Sequence, residues 1–135
     1  MTNSVNADSS GVIILIWTLF GAFLGGALSS FGAVVAERVP KGETLGGRSH
    51  CACGRQLTSW ENIPVVGWLR VRGRTKCCGV KIPTHYVVCE ALSSVAGASL
   101  GWSAATGEQV VLASALFTIT LLGCVAYQWK LNYPK

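Results

Sequence analysis

Charge is what this chain has least of. Only 13% of its 135 residues are charged, and aspartate occurs once, as Asp8. No lysine or arginine precedes Arg38, and none lies between Lys81 and Lys130. The missing basic residues at the amino terminus exclude the n-region of a secretory signal, and the apolar run that follows is too long for a signal core. Half of the residues are hydrophobic. Neither a disordered chain nor an ordinary soluble domain has that balance, and an integral membrane protein does. The formal charge of +5 does not indicate nucleic acid, because the basic residues sit between apolar spans, where positive charge sets topology.

Three long apolar stretches can be read along the chain. Residues 1–10 form a polar tail, and residues 11–36 carry no charge, more than the ~20 residues a helix needs to cross a hydrocarbon core. Gly21, Gly25 and Ser29 fall four apart, as do Ala22, Gly26 and Ser30, a spacing that suits close helix packing and that glycine-rich membrane helices also show by composition alone. Residues 37–85 are a polar loop, opened by Glu37, Arg38, Pro40 and Lys41. Residues 86–105 form the second span, with Ser93, Gly97 and Gly101 as its small-residue stripe and Glu90 as its one charge. Glu90 reads equally as a carboxylate that snorkels or pairs with a loop arginine, and as part of a polar site at the membrane face. Residues 106–109 make a turn, residues 110–129 the third span and residues 130–135 the tail. His85 is read as interfacial, and Cys89 and Cys124 as small apolar fillers.

The expected fold class is therefore an all-α integral membrane protein of three transmembrane helices. All eleven basic residues lie in the loop between the first two spans or in the tail, which predicts an outside amino terminus and a cytoplasmic loop and carboxyl terminus.

That loop holds four of the six cysteines, as Cys51/Cys53 and Cys77/Cys78, each pair followed by a glycine, Gly54 or Gly79. Two cysteine knuckles around a polar and aromatic linker are what a structural zinc site requires, since four thiolates must converge on one ion. The spacings are C-x-C and C-C rather than C-x-x-C; His50 and Cys53 would restore the two-residue gap. The expected ligands are Cys51, Cys53, Cys77 and Cys78, with His50 in reserve. In a reducing compartment the alternatives are a redox switch and plain buried thiols, ranked below zinc. Trp60 and Trp68 are expected to pack the loop, and residues 61–71 to lie on the membrane surface or on the knuckles.

Several segments together resemble the amino-terminal half of the type IV prepilin peptidases. These are SFGAVVAERVPKGE at 30–43, RSHCACG at 48–54, ENIPVVGWLRVRGR at 61–74, CCG at 77–79 and the Ile82-Pro83…Tyr86…Glu90 series. The resemblance covers roughly residues 20–100 and implies a bacterial inner (cytoplasmic) membrane protein. It further implies that the cysteine loop is a zinc-binding knuckle pair linked with N-methylation, which brings in S-adenosylmethionine. Cys53 and Cys78 match the second cysteine of each family pair, while the first falls on His50 and Thr75. Glu90 matches the family's glutamate after the loop, Glu61 stands where an aspartate often precedes Asn-Ile-Pro, and Ala33 replaces an asparagine.

The family's peptidase half uses two aspartates, one in a GxGD motif. This chain has neither the motif nor an aspartate after Asp8, so no catalytic residue is expected and no aspartyl protease activity on its own. No glycine-rich S-adenosylmethionine signature is present either. The implied function is that of a stand-alone amino-terminal domain acting on prepilin-like substrates with a separately encoded peptidase half. The alternative is a non-catalytic zinc-binding membrane scaffold or assembly factor of a pilus, secretion or competence system. The other partner is the lipid bilayer, with no nucleic acid.

Overall fold

The computed structural model describes residues 2–51 and 53–133, with side chains from Ser10 onward. The side chain of Asp8 and residue Lys135 lie outside the described residues. Among the described residues there are four α-helices: α1 Thr2–Arg38, a short α2 Val66–Arg70, α3 Thr84–Thr106 and α4 Val110–Asn132. Among the described residues there is no strand, only two isolated bridges in the loop, His50 with Gln56 and Arg74 with Lys81.

The three long helices contain the three expected spans. α1 continues back to Thr2 through the stretch expected to be a tail, because nothing from Thr2 to Ser10 is a proline or glycine that would stop it. Its end is marked by a 3-10 turn, Val39–Lys41, with Pro40 inside it and Gly42 at φ 68°, where glycine carries no Cβ penalty. Two of the long helices, α1 with its following turn (Ser10–Lys41) and α4, are long and apolar enough to cross a membrane. α3 has the length, at 23 residues, and falls short in apolarity. The residues that lower it, Ser93, Gly97, Gly101 and Ser103, are buried against its neighbours.

α1 pairs most extensively with α3, and α4 packs more thinly on both. The α1–α3 contact is backbone on backbone. A Cβ added at Gly21 would collide with the carbonyl of Gly97, one at Gly25 with that of Ser93, and one at Gly101 with that of Trp17. Moving four residues forward on one helix thus moves four back on the other, so the pair is antiparallel and both predicted stripes meet along their length. Ser29 and Ser93 are fully buried in this seam. α4 returns after a turn of three residues, 107–109, in which Gly107 takes φ 75° and caps α3 by donating to the Ser103 carbonyl. Cys124 places its Sγ 3.9 Å from the Cys89 carbonyl, and the Tyr133 hydroxyl donates to the Glu37 carbonyl at 3.2 Å. The latter ties the end of α4 to the end of α1.

The seam makes a direct prediction. Gly97→Leu forces α1 and α3 apart and should cost about 3 kcal/mol or more in detergent unfolding. Gly123→Ala, where nothing lies within 4 Å, should be neutral or slightly stabilising.

Candidate metal centre

Each cysteine pair sits at the tip of a small hairpin. In the first, His50 and Gln56 bridge the base, Cys51 N–H donates to the Arg55 carbonyl at 2.8 Å, and Gly54 N–H donates to the Cys51 carbonyl at 2.8 Å. Gly54 takes φ 84°, the left-handed turn that lets Cys51 and Cys53 face the same way. In the second, Arg74 and Lys81 form the base. Thr75 N–H donates to the Val80 carbonyl at 2.9 Å, and Gly79, at φ 68°, donates to the Thr75 carbonyl at 2.9 Å.

The two tips meet crosswise. Cys51 Sγ lies 3.3 Å from Cys78 Sγ, Cys53 Sγ lies 3.3 Å from Cys77 Sγ, and the adjacent Cys77 and Cys78 sulfurs are 3.8 Å apart. All four sulfurs fall within 4.8 Å of one another. A tetrahedral zinc with bonds of about 2.3 Å to sulfur has ligand edges of about 3.8 Å, so this donor set fits such an ion closely. The C-x-C and C-C spacings converge because each hairpin, rather than each spacing, aims the thiols. His50 is exposed at the base of its hairpin, outside the converging group. Cys89 and Cys124 are buried in α3 and α4 and join no such group among the described residues.

Arg55 organises the charge at this site. Its guanidinium donates to Glu61 Oε1 at 2.8 Å, while Glu61 Oε2 accepts from the Thr58 N–H at 2.9 Å and its hydroxyl at 3.0 Å. The hydrogen bond from Arg55, with those from Thr58, holds the Glu61 carboxyl down to about 2. Arg55 also stabilises the Cys77 thiolate by hydrogen bonding; with Cys51 and Cys53 adding to it, Cys77 is pulled down to about 6. Cys78 is lowered by the Thr75 hydroxyl and then by Cys51. Cys53 goes the other way: the Arg55 backbone N–H favours its thiolate, but hydrogen bonding with Cys77 and desolvation push it up to about 11. The cluster thus holds Cys77 as a thiolate near neutral pH, the form a metal binds.

The linker seats the knuckles on the helices. Trp68 packs its ring over Gly73, at φ 70°, and donates from Nε1 to the Ile82 carbonyl at 3.4 Å. Gly67 packs against the carbonyl of Glu61, and Pro64 packs on Gly26 of α1. Trp60, expected to pack the loop, is instead 64% exposed. Its place at the start of the 3-10 turn Ser59–Asn62 points it away from the packing that Trp68 provides. Glu90 pairs with no arginine among the described residues; its Oε2 accepts the N–H of Val65 at 2.8 Å. Val65 is at φ 62°, a conformation a β-branched residue rarely adopts. Basic residues near the cysteines and Glu90 stand out by residue type; that Arg55 is the arginine that acts, that Thr75 assists Cys78 and that Glu90 takes the Val65 N–H depend on how the loop folds.

A cavity of about 330 Å³ opens between the first knuckle and the ends of α1 and α3, lined among others by Ser30, Glu37, Cys51, Trp68, Tyr86 and Glu90. An apolar helical hairpin bearing a four-thiol loop beside such a cavity defines a class of membrane-protein domains with a potential metal-binding loop. Within it the Bacterial Peptidase A24 N-terminal domain matches residues 23–104, and the chain belongs to that family. It is 33% identical over 113 residues to the prepilin leader peptidase/N-methyltransferase of Myxococcus xanthus, covering 79% of this chain and 34% of that protein. It is 33% identical over 115 residues to the Klebsiella pneumoniae protein of the same description, covering 77% of this chain and 50% of that one. A type 4 prepilin-like proteins leader peptide-processing enzyme of Escherichia coli is 40% identical over 58 residues, 41% of this chain and 22% of the relative. The chain thus spans between about a fifth and a half of the length of these relatives. No solved structure matches it.

Two measurements test the centre. Detergent-purified protein should carry one zinc per chain, and Cys77→Ser/Cys78→Ser should carry none; metal-free wild type would remove the staple. In metal-stripped protein, Arg55→Leu should slow alkylation of Cys77 at pH 7 by more than about tenfold, since its thiolate fraction falls as its pKa returns toward an ordinary thiol.

Proposed function

We propose that this chain is the zinc-binding, substrate-holding half of a prepilin-processing system in a bacterial inner membrane. Three helices cross the bilayer with the amino terminus outside, and the cysteine loop and carboxyl end are cytoplasmic. The distribution of all eleven basic residues supports that orientation. The observation that carries the reading is the cavity between the four-thiol centre and the membrane end of α1 and α3. Its lining mixes apolar side chains with Glu37, Glu61 and Glu90. A prepilin-like substrate offers the complementary end: an apolar segment for the wall and a basic or amino-terminal cation for the carboxylates.

Zinc bound by Cys51, Cys53, Cys77 and Cys78 supplies no chemistry to the substrate here; it fixes the two hairpins and so one wall of the cavity. Arg55 holds the thiolate of Cys77 and the carboxylate of Glu61 in one register. Among the described residues no glycine lines the cavity, so no backbone cradle for S-adenosylmethionine is assigned there. No methyl-transfer step is derived, and the role given to this chain is to present the acceptor. Cleavage of a leader needs a pair of aspartates, which these residues do not carry. In this reading they come from a separately made peptidase half.

Co-expression tests it. Processing of a prepilin-like substrate by an aspartate-bearing peptidase half should require this chain, and Cys53→Ser/Cys78→Ser should abolish it. Glu90→Ala should weaken it by roughly tenfold or more, the loss expected when a positioned charged contact is removed. Unchanged processing without the chain would end this reading and leave a scaffold for pilus or secretion assembly proteins.

A further inference from the structure

The linker between the knuckles reaches a depth that a surface loop does not. α4 is uncharged from Val110 to Trp129, bounded by Glu108 and Lys130, about the 30 Å thickness of a hydrocarbon core. It therefore fixes the slab with little slack. Cys124 lies six residues, about 9 Å, inside Lys130 and faces the Cys89 carbonyl of α3. Ser93, four residues deeper on α3, faces Gly25, and the next residues, Ser94 and Gly26, meet beside Pro64. Pro64 is thus on the order of 14 Å inside the plane of Lys130, near the middle of the slab.

Irregular backbone survives at that depth only if its polar groups are satisfied by protein. Here they are. Pro64 has no N–H, the Val65 N–H goes to Glu90, and the Val66 and Gly67 N–H groups donate to Pro64 and Ile63 carbonyls at 2.6 and 2.8 Å. The strained φ of Val65 aims its N–H at the Glu90 carboxylate. Val66 and Leu69, three apart on α2, are 51% and 59% exposed. Arg70, Arg72 and Arg74 follow directly, all exposed and with no carboxylate at ion-pair distance among the described residues.

We propose that residues 63–69 are a re-entrant wedge embedded in the leaflet on the cysteine-loop side, in contact with phospholipid. Acyl chains cover Val66 and Leu69, Arg70, Arg72 and Arg74 take anionic headgroup phosphates, and Glu90 is the positioning residue that holds the wedge at depth. The inference rests on the bilayer reading above.

The test is photo-cross-linking of the full chain in vesicles of phosphatidylethanolamine and phosphatidylglycerol, with benzoylphenylalanine placed singly at Val66, Leu69, Lys76 or Leu122. Leu122 is 65% exposed on α4 and should form lipid adducts wherever the helices span. Adducts at Val66 and Leu69, with none at Lys76 on the second knuckle, are expected. Phosphatidylglycerol should be enriched several-fold over its mole fraction in them, and Arg70→Gln/Arg72→Gln/Arg74→Gln should abolish the enrichment. Glu90→Ala should remove the Val66 adduct and Glu90→Gln, which keeps an acceptor oxygen, should restore it. Adducts at Leu122 without any at Val66 and Leu69 would overturn the wedge and leave the bilayer reading standing. Loss at Leu122 as well would overturn both.

Discussion

The backbone contact between α1 and α3 is the constraint on which the rest depends. Two helices can approach until a carbonyl of one occupies the place of a Cβ on the other only where Gly21, Gly25, Gly97 and Gly101 leave that place empty. That approach sets the register of the pair, and the register sets where the loop leaves α1 and where it returns at α3. The separation of the loop's ends then fixes how its hairpins can lie. Within that frame the two hairpins bring four thiols within 4.8 Å of one another.

The cysteine loop shows how charge and geometry support each other. Four thiolates near one another repel, and a chain without counter-charge would keep them protonated or apart. Arg55 is placed between Glu61 and Cys77, so one guanidinium offsets a carboxylate held near 2 and a thiolate held near 6. The first knuckle contributes the arginine and the second the thiolate it stabilises. The two hairpins are therefore linked electrostatically whether or not an ion lies between their sulfurs.

Much of this was legible in the residues and some was not. The three helices follow from long stretches with at most one charge, and the stripes Gly21-Gly25-Ser29 and Ser93-Gly97-Gly101 are spaced as the seam uses them. The four cysteines could be singled out, but C-x-C and C-C spacings do not reveal that Cys51 faces Cys78 and Cys53 faces Cys77, because that depends on how two turns cross. Trp60 and Trp68 have the same residue type and opposite fates, since one lies exposed in the first half of a 3-10 turn and the other has Gly73 beneath its ring. The pairing of Glu90 with a main-chain N–H was beyond reach, because a backbone donor leaves no mark in a sequence. The family resemblance, in contrast, rested on several short segments in order over roughly residues 20–100, and the family match over residues 23–104 covers nearly the same stretch.

The serines and glycines that let α3 close on α1 also make it a poor solute for lipid. A partner that covers this stripe keeps its serine hydroxyls out of contact with lipid. On the three-span reading, α3 keeps that stripe out of lipid only while it lies against α1, with the more apolar α4 beside it. A side chain added to the seam would act on that cover as well as on the packing, by turning the stripe of α3 toward lipid with the cysteine loop still attached.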